Sequence, residues 1–348
     1  MTAIQTPTRR TLFVRGPGNL ILESRPVPVP GVNDVVVRVE ACGICGSDLN
    51  YAAAGGMPTA PGEPMALGHE FAGRVEAMGA NVAGVTLGMR VIVNPDDNLI
   101  GAGADEGGFS DRILVRNARV GGNLLRLPDH LPPERGALVE PLSVGLHGVN
   151  RARVGPGSKV VVFGAGMIGM GAVIGLKNRG IEDIAVVDLN DERLELARHF
   201  GAKATINPGR GEDLETVLST AHGRTTRYGW SVVDTDAFID TAGAPVLLDR
   251  ALAICKGGAR VVVIALHHKP YTLDLVNVMA KEIEILGSCT YPQDEFAEVL
   301  EMLASGVPDP SPLITHRFGF NQIMEAFAAA KDPRLALKVM VNFEEATA

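Results

Sequence analysis

The segment Lys159-Val-Val-Val-Phe-Gly164-Ala-Gly166-Met-Ile-Gly169 constrains this chain more than any other. A β-branched apolar run that breaks at once into spaced glycines reads as a buried strand turning tightly into a helix. The glycines answer different demands. Gly164 allows the tight turn, Gly166 lets a pyrophosphate approach the backbone, and Gly169 lets the helix pack close to the strand. The start of such a helix offers free N–H groups and a partial positive charge. Asp188 closes the next apolar run, 19 residues after Gly169, and a carboxylate about 20 residues on is placed to bond a ribose 2′-hydroxyl. The segment predicts a dinucleotide site. A carboxylate there repels a 2′-phosphate, so NAD is expected rather than NADP. Arg193 lies five residues further on; it could accept a phosphate, flank an adenine or pair on a solvated helix.

The apolar run Val160 to Leu176 also invites a membrane reading. It is 17 residues long and holds five glycines, at the short edge of the roughly 17–25 residues a spanning helix needs. A buried strand followed by a buried helix accounts for it better.

Around Val154-Gly155-Pro156-Gly157 the pattern of the chain changes. Before it, short strand candidates at 34–41, 71–77 and 90–94 alternate with glycine- and proline-rich loops at 28–31, 55–64 and 95–108, which suits an irregular, barrel-like β domain. After it, apolar runs alternate with helix-length segments: 159–163, a helix to about Arg179, 183–188, 191–200, 237–240, a helix through Ala253, and 260–266. That alternation predicts a parallel, doubly wound sheet, hence an α/β chain. The apolar segment 336–342 has no evident partner in that sheet and is expected to rejoin the first domain. The expected organisation is therefore a first domain over 1–152, completed by 291–348, with a nucleotide domain over 153–290 inserted between. A chain of 348 residues has room for both.

A second cluster lies in the β-rich part. Gly-Ile-Cys45-Gly-Ser47-Asp48 is followed, 24 residues after the cysteine, by His69-Glu70. A thiolate, an imidazole and a carboxylate can hold a zinc ion with one position left open. Each alone has an ordinary reading: a buried thiol, a core histidine, a surface glutamate. Adjacent side chains diverge, so His69 and Glu70 can share an ion only if the backbone turns there. The formal charge of −8 with scattered basic residues argues against nucleic acid or an anionic membrane as partner. Four cysteines (42, 45, 255, 289) and a polar stretch from Met1 to Arg10 fit a reduced, cytoplasmic protein rather than a disulfide framework.

Gly-Ile-Cys-Gly-Ser-Asp, Leu-Gly-His-Glu and Glu140-Pro-Leu-Ser together resemble the zinc-dependent medium-chain dehydrogenases, most closely their sorbitol (polyol) and butanediol dehydrogenase branch. The resemblance covers essentially the whole chain. It implies a GroES-like catalytic domain and a Rossmann domain. It implies a catalytic zinc on Cys45, His69 and Glu70, with Glu140 beside it as a ligand or holding the zinc-bound water. Asp48 would orient His69, Ser47 would contact the substrate oxygen and start a proton relay, and Tyr51 would line the pocket. Ile168, Asp188 and Arg193 fall at cofactor positions. The implied reaction moves a hydride from a secondary alcohol, a small diol or polyol, to NAD and leaves a ketone. A homodimer or homotetramer is implied too, pairing along the segment 282–287.

Three departures qualify this. The stretch 94–106 lacks the four cysteines that hold a structural zinc in many members, so one zinc per chain is expected and no structural one. Asn50 stands where the relay often ends in histidine, and an amide cannot take up a proton near neutral pH. Thr290 stands where polyol dehydrogenases carry arginine, which favours a smaller or less polar alcohol over sorbitol. An amino-alcohol or threonine dehydrogenase on the same fold would need a clamp for an anionic group. A catalytically silent NAD-binding relative would have lost zinc ligands, which this chain keeps.

Overall fold

The computed structural model describes residues 7–57, 63–227, 229–306 and 308–343. The chain divides into two compact units, Met1–Glu140 with Phe296–Ala348, and Pro141–Glu295. The division thus falls in the first turn of the helix Val139–Ala152, whereas the change in sequence pattern comes at its end.

In the first unit one long strand, Val35–Ile44, organises the rest. Its valine-rich run is buried along nearly its whole length, as expected of β-branched residues with sheet or helix on both faces. It pairs antiparallel with Glu70–Met78, with Arg112–Val115 and with Lys338–Asn342. The last of these returns the late part of the chain to the first unit, as the apolar 336–342 segment suggested. Register shifts near Val36 and Val39 bend the strand, as bulges do, and beyond them Gly43 lies opposite both Glu70 and Met340. A second, three-stranded sheet joins Leu20–Pro26, Thr8–Val14 and Met65–Ala66. Leu12, Val37, Phe71, Phe109 and Ile113 pack between these layers, and the helix Ile323–Ala330 adds Phe327 edge-on to Phe109 at 5.4 Å.

The second unit is a six-stranded, wholly parallel sheet in the order Ala204–Ile206, Asp183–Val187, Lys159–Phe163, Ala237–Asp240, Arg260–Val263, Glu284–Gly287. The order reverses direction at Lys159–Phe163. The long apolar run resolves into that strand and the helix Met167–Asn178. Gly145 lets a second helix approach it: a Cβ there would lie 2.5 Å from the backbone of Gly171 and Ala172. Among the described residues no helix is long and apolar enough to cross a membrane. The antiparallel hairpin Arg224–Arg227 with Trp230–Val233 was not foreseen; its polar strands lack the apolar period of a core strand.

The cysteine-free loop after Asn94 is secured by other means. Arg9 Nη1 and Nη2 grip Glu106 Oε2 and Oε1 at 2.5 and 2.8 Å, Arg9 Nη1 also donates to the Arg112 carbonyl at 2.6 Å, and Glu106 Oε2 accepts from Leu114 N at 3.0 Å. Both side chains are nearly sealed from solvent. Removing one partner leaves the other charge buried, a loss of about 3–5 kcal/mol. Arg9→Met is therefore expected to lower the urea or thermal midpoint far more than Arg119→Met, which breaks an exposed pair with Asp97 of the kind worth about 0–1 kcal/mol. Equal midpoints for the two variants would refute this role.

Candidate metal and nucleotide sites

Cys45 sits in extended backbone immediately before the helix Gly46–Ala54. The fully buried Asp48, in that helix's first turn, accepts from Cys45 N at 2.9 Å and from Gly68 N at 3.0 Å. One carboxylate thus ties together two segments more than 20 residues apart. Gly68 has φ 93°, a left-handed turn that favours glycine. This turn lets His69 and the strand-opening Glu70 converge, despite being adjacent. Single donor atoms of Cys45, His69 and Glu70 lie within 4.8 Å of one another. Ser47 Oγ lies 3.2 Å from His69 Nε2. His69 Nδ1 is 3.6 Å from Asp48 Oδ1, beyond a hydrogen bond, and is buried without a hydrogen-bond partner.

Lys338 was not anticipated. Its Nζ lies 2.6 and 2.5 Å from the two Glu70 oxygens and 3.0 Å from the Ile44 carbonyl, with both side chains out of solvent. A Cβ at Gly43 would collide with Glu70 Oε2, so the missing side chain makes the room. The only sequence signal is a lysine inside an apolar strand, Leu-Lys-Val-Met-Val.

The electrostatics follow from this crowding. Burial would lower Lys338, but Glu70 and Cys45 hold it above its ordinary value. Burial would likewise lower His69, yet Asp48, Cys45 and Glu140 outweigh it and raise the imidazole well above 6.5. Glu140, in the first turn of its helix, is pushed up to about 7 by burial and by Glu70, against the pull of His69 and Lys338. Glu140 therefore feels the same cluster. Tyr51 is half-buried on the Ser47 helix, against the core, and Asn50 is exposed. A mixed thiolate, imidazole and carboxylate set with an unmet ring nitrogen fits zinc.

In the second unit Gly164 has φ 93°. A Cβ on Gly169 would collide with the Gly164 carbonyl, and one on Gly166 would meet nothing nearer than Arg193 Nη1 at 4.0 Å. That openness at Gly166 suits a phosphate. The helix Met167–Asn178 begins there without a side-chain cap, leaving N–H groups for an anion. Ile168 is in its first turn, partly exposed. Asp188 Oδ2 accepts from Ala165 N at 2.7 Å and Oδ1 from Asn190 N at 2.8 Å, so it buttresses the glycine turn and keeps lone pairs for a further donor. Thr241, unremarked in the sequence, donates to the Phe163 carbonyl at 2.7 Å. Thr290 is exposed with φ 49°.

Two family models match the chain: the alcohol dehydrogenase GroES-like domain over residues 31–128 and the zinc-binding dehydrogenase over 168–305. Sorbitol dehydrogenase of Homo sapiens is 32% identical, covering 98% of this chain and 98% of its own. The chain belongs to the zinc-dependent alcohol dehydrogenase family. Among solved structures, 2R,3R-butanediol dehydrogenase from Bacillus subtilis superposes with a TM-score of 0.85 at 28% identity, covering 96% of this chain and 99% of that one. An Escherichia coli CFT073 alcohol dehydrogenase complexed with NADH gives 0.84 at 26%, over 97% and 99%. The β-rich unit and the parallel sheet are this dehydrogenase's GroES-like and Rossmann domains. It is a zinc-dependent oxidoreductase transferring hydride between an alcohol and NAD, within the polyol and diol branch.

If His69 and Glu140 hold a zinc ion, the protons they carry must leave first, because ligands bind deprotonated. With Glu140 at about 7 and His69 well above 6.5, protons compete below neutrality and leave as pH rises. Zinc affinity, read by competition with a chelating dye, is expected to climb as pH rises from 6, by up to about tenfold per unit for each proton displaced, and to climb less steeply above pH 7, where Glu140 has lost its proton. Cys45→Ser is expected to lose most of that affinity at every pH. A flat profile in the native protein would count against the assignment.

Proposed function

We propose that this dehydrogenase oxidises short vicinal diols or simple secondary alcohols with NAD, giving ketones, on one catalytic zinc per chain. The observation that carries the reading is the convergence of Cys45, His69 and Glu70 within 4.8 Å, with Ser47 Oγ against His69. Cys45, His69 and Glu70 would hold the ion, with Glu140 beside it as a ligand or holding the zinc-bound water. When bound, zinc supplies Lewis acidity toward a hydroxyl, and NAD supplies the hydride acceptor. The chain's own residues do the rest. Asp48 fixes Cys45 and the Gly68 turn through its two backbone bonds. Lys338 offsets the charge of Glu70. Ser47 Oγ accepts the substrate's hydroxyl proton and passes its own onward, and since the Asn50 amide cannot take it, water or another group must. Tyr51 lines the substrate side of its helix. Gly164, Gly166, Gly169 and Ile168 shape the cofactor turn, Asp188 takes the ribose hydroxyl, and Arg193 borders Gly166.

Thr290 sets the substrate preference. A threonine cannot replace the donors of an arginine fork, and each substrate hydroxyl left buried and unpaired costs about 1–3 kcal/mol. Initial-rate kinetics with 2,3-butanediol, 2-propanol, xylitol and sorbitol, each with NAD and NADP, test the reading. The short alcohols are expected to exceed sorbitol in kcat/KM, with Thr290→Arg moving the preference toward polyols. NAD is expected to exceed NADP by at least about tenfold, with Asp188→Ala narrowing the gap. Sorbitol as the best substrate, or equal use of both cofactors, would overturn the respective assignment.

The protein is further proposed to be cytoplasmic and to act as a homodimer or homotetramer. Glu284–Gly287 is an edge strand with a neighbour on one side only among the described residues, and Ile285 on it is 40% exposed, leaving backbone groups free to pair with a second copy. Light scattering at micromolar concentration should give a multiple of the chain mass. A monomer alone would refute the assembly.

A further inference from the structure

A second side-chain cluster lies at the carboxyl edge of the parallel sheet. Phe163, Asp240 and Val263 are in register across three adjacent strands. Asp240 is fully buried. Its Oδ1 accepts from Ala242 N and Gly243 N at 3.1 and 3.0 Å, and its Oδ2 accepts from His267 Nε2 at 2.8 Å. Gly243 has φ 65°, and a Cβ on it would meet the Leu266 carbonyl at 3.1 Å. Thr241 Oγ1 donates to the Phe163 carbonyl at 2.7 Å and lies 3.1 Å from that of Gly164. The glycine turn, the 241–243 loop and the 264–267 loop therefore form one connected wall, and the Asp240–His267 pair is its clasp.

The clasp leaves the imidazole with a defined free atom. Because Nε2 donates to a carboxylate, Nδ1 of the neutral ring is an acceptor. Among the described residues no protein group bonds to Nδ1, and the side chain is 17% exposed. Its position decides what can reach it. In a doubly wound sheet a dinucleotide straddles the point where the strand order reverses, here Lys159–Phe163. Asp188, on one side, takes the adenosine ribose. The other half of the cofactor then lies over the ends of Ala237–Asp240 and Arg260–Val263, where His267 stands.

We propose that His267, locked by Asp240, is a further cofactor-binding residue that accepts at Nδ1 a hydrogen bond from a hydroxyl or amide donor on the nicotinamide half of NAD. His267 makes the contact and Asp240 acts through it as a positioning residue. This rests on the reading that the Gly164–Gly169 turn binds NAD.

The test compares NADH and AMP binding, by calorimetry, to the full-length native protein, His267→Ala and His267→Gln. AMP carries the adenine half alone. His267→Ala is expected to weaken NADH by about 5–10-fold, as for one lost net hydrogen bond, while changing AMP by less than about twofold. His267→Gln, whose amide oxygen can accept, is expected to recover most of the NADH affinity. Asp240→Asn is expected to weaken NADH in the same direction, but it removes a buried carboxylate and serves only as support. NADH affinity unchanged in His267→Ala overturns the proposal, and so does an equal loss of AMP and NADH, which would mark a structural role. A native protein that binds neither ligand overturns the nucleotide reading and this proposal together. One that binds both while His267→Ala matches it overturns this proposal alone.

Discussion

The metal site depends on the buried ion pair between Lys338 and Glu70. Asp48, Glu70 and Glu140 are three carboxylates out of solvent around one imidazole, with the Cys45 thiol beside them. Burying that much acidity without compensation would cost more than the fold could supply. Lys338 cancels one charge, and the remaining surplus is partly met by protons that His69 and Glu140 retain above their usual values. A divalent cation bound there would meet the same surplus. The pair also explains why the late strand Lys338–Asn342 belongs to the first unit: without its ammonium, Glu70 would be a lone buried charge in the strand next to the long central one.

Much of this was legible in the sequence, and the limits are instructive. The glycine turn and the alternating runs after Lys159 were readable because each is a local pattern: period, punctuation and one acidic residue at a fixed offset. Cys45, His69 and Glu70 were readable as residue types, and their convergence needed only the turn that Gly68 provides. Lys338 was not readable, because its partner is 268 residues away and a lysine among valines carries no address. The strand candidate 34–41 continues in the structure to Ile44, and Gly43 near its end leaves room for Glu70. The clasp between Asp240 and His267 was hidden for a similar reason, two loops brought together only by the parallel register of their strands.

The two units meet opposite charges by different means. Around the glycine turn the nucleotide unit offers an anion backbone rather than surplus positive side chains: an uncapped helix start and an open glycine, with Arg193 4.0 Å from where a Gly166 Cβ would stand. Backbone N–H groups are held by the fold itself and need no reorganisation on binding. The metal unit faces a cation with side chains, whose protonation must change for the ion to enter. Metal loading should therefore respond to pH more steeply than nucleotide binding does.

The loop after Asn94 is held by an ion pair and by close backbone packing. The stretch 94–108 holds no cysteine; the Arg9–Glu106 pair and a run of glycines hold it in place. Gly101 lies so close to Gly68 that any Cβ would strike its carbonyl, and Gly108 N donates to that same carbonyl at 2.7 Å. Phe109 N reaches the Leu67 carbonyl at 3.0 Å. These contacts all converge on the residues just before His69, so the loop braces the metal-ligand turn from behind. Neither thiol oxidation nor metal chelation touches an ion pair and backbone packing. The cost moves elsewhere: Gly101 has φ 68°, and a side chain there would strain the backbone and push directly on the turn that aims His69.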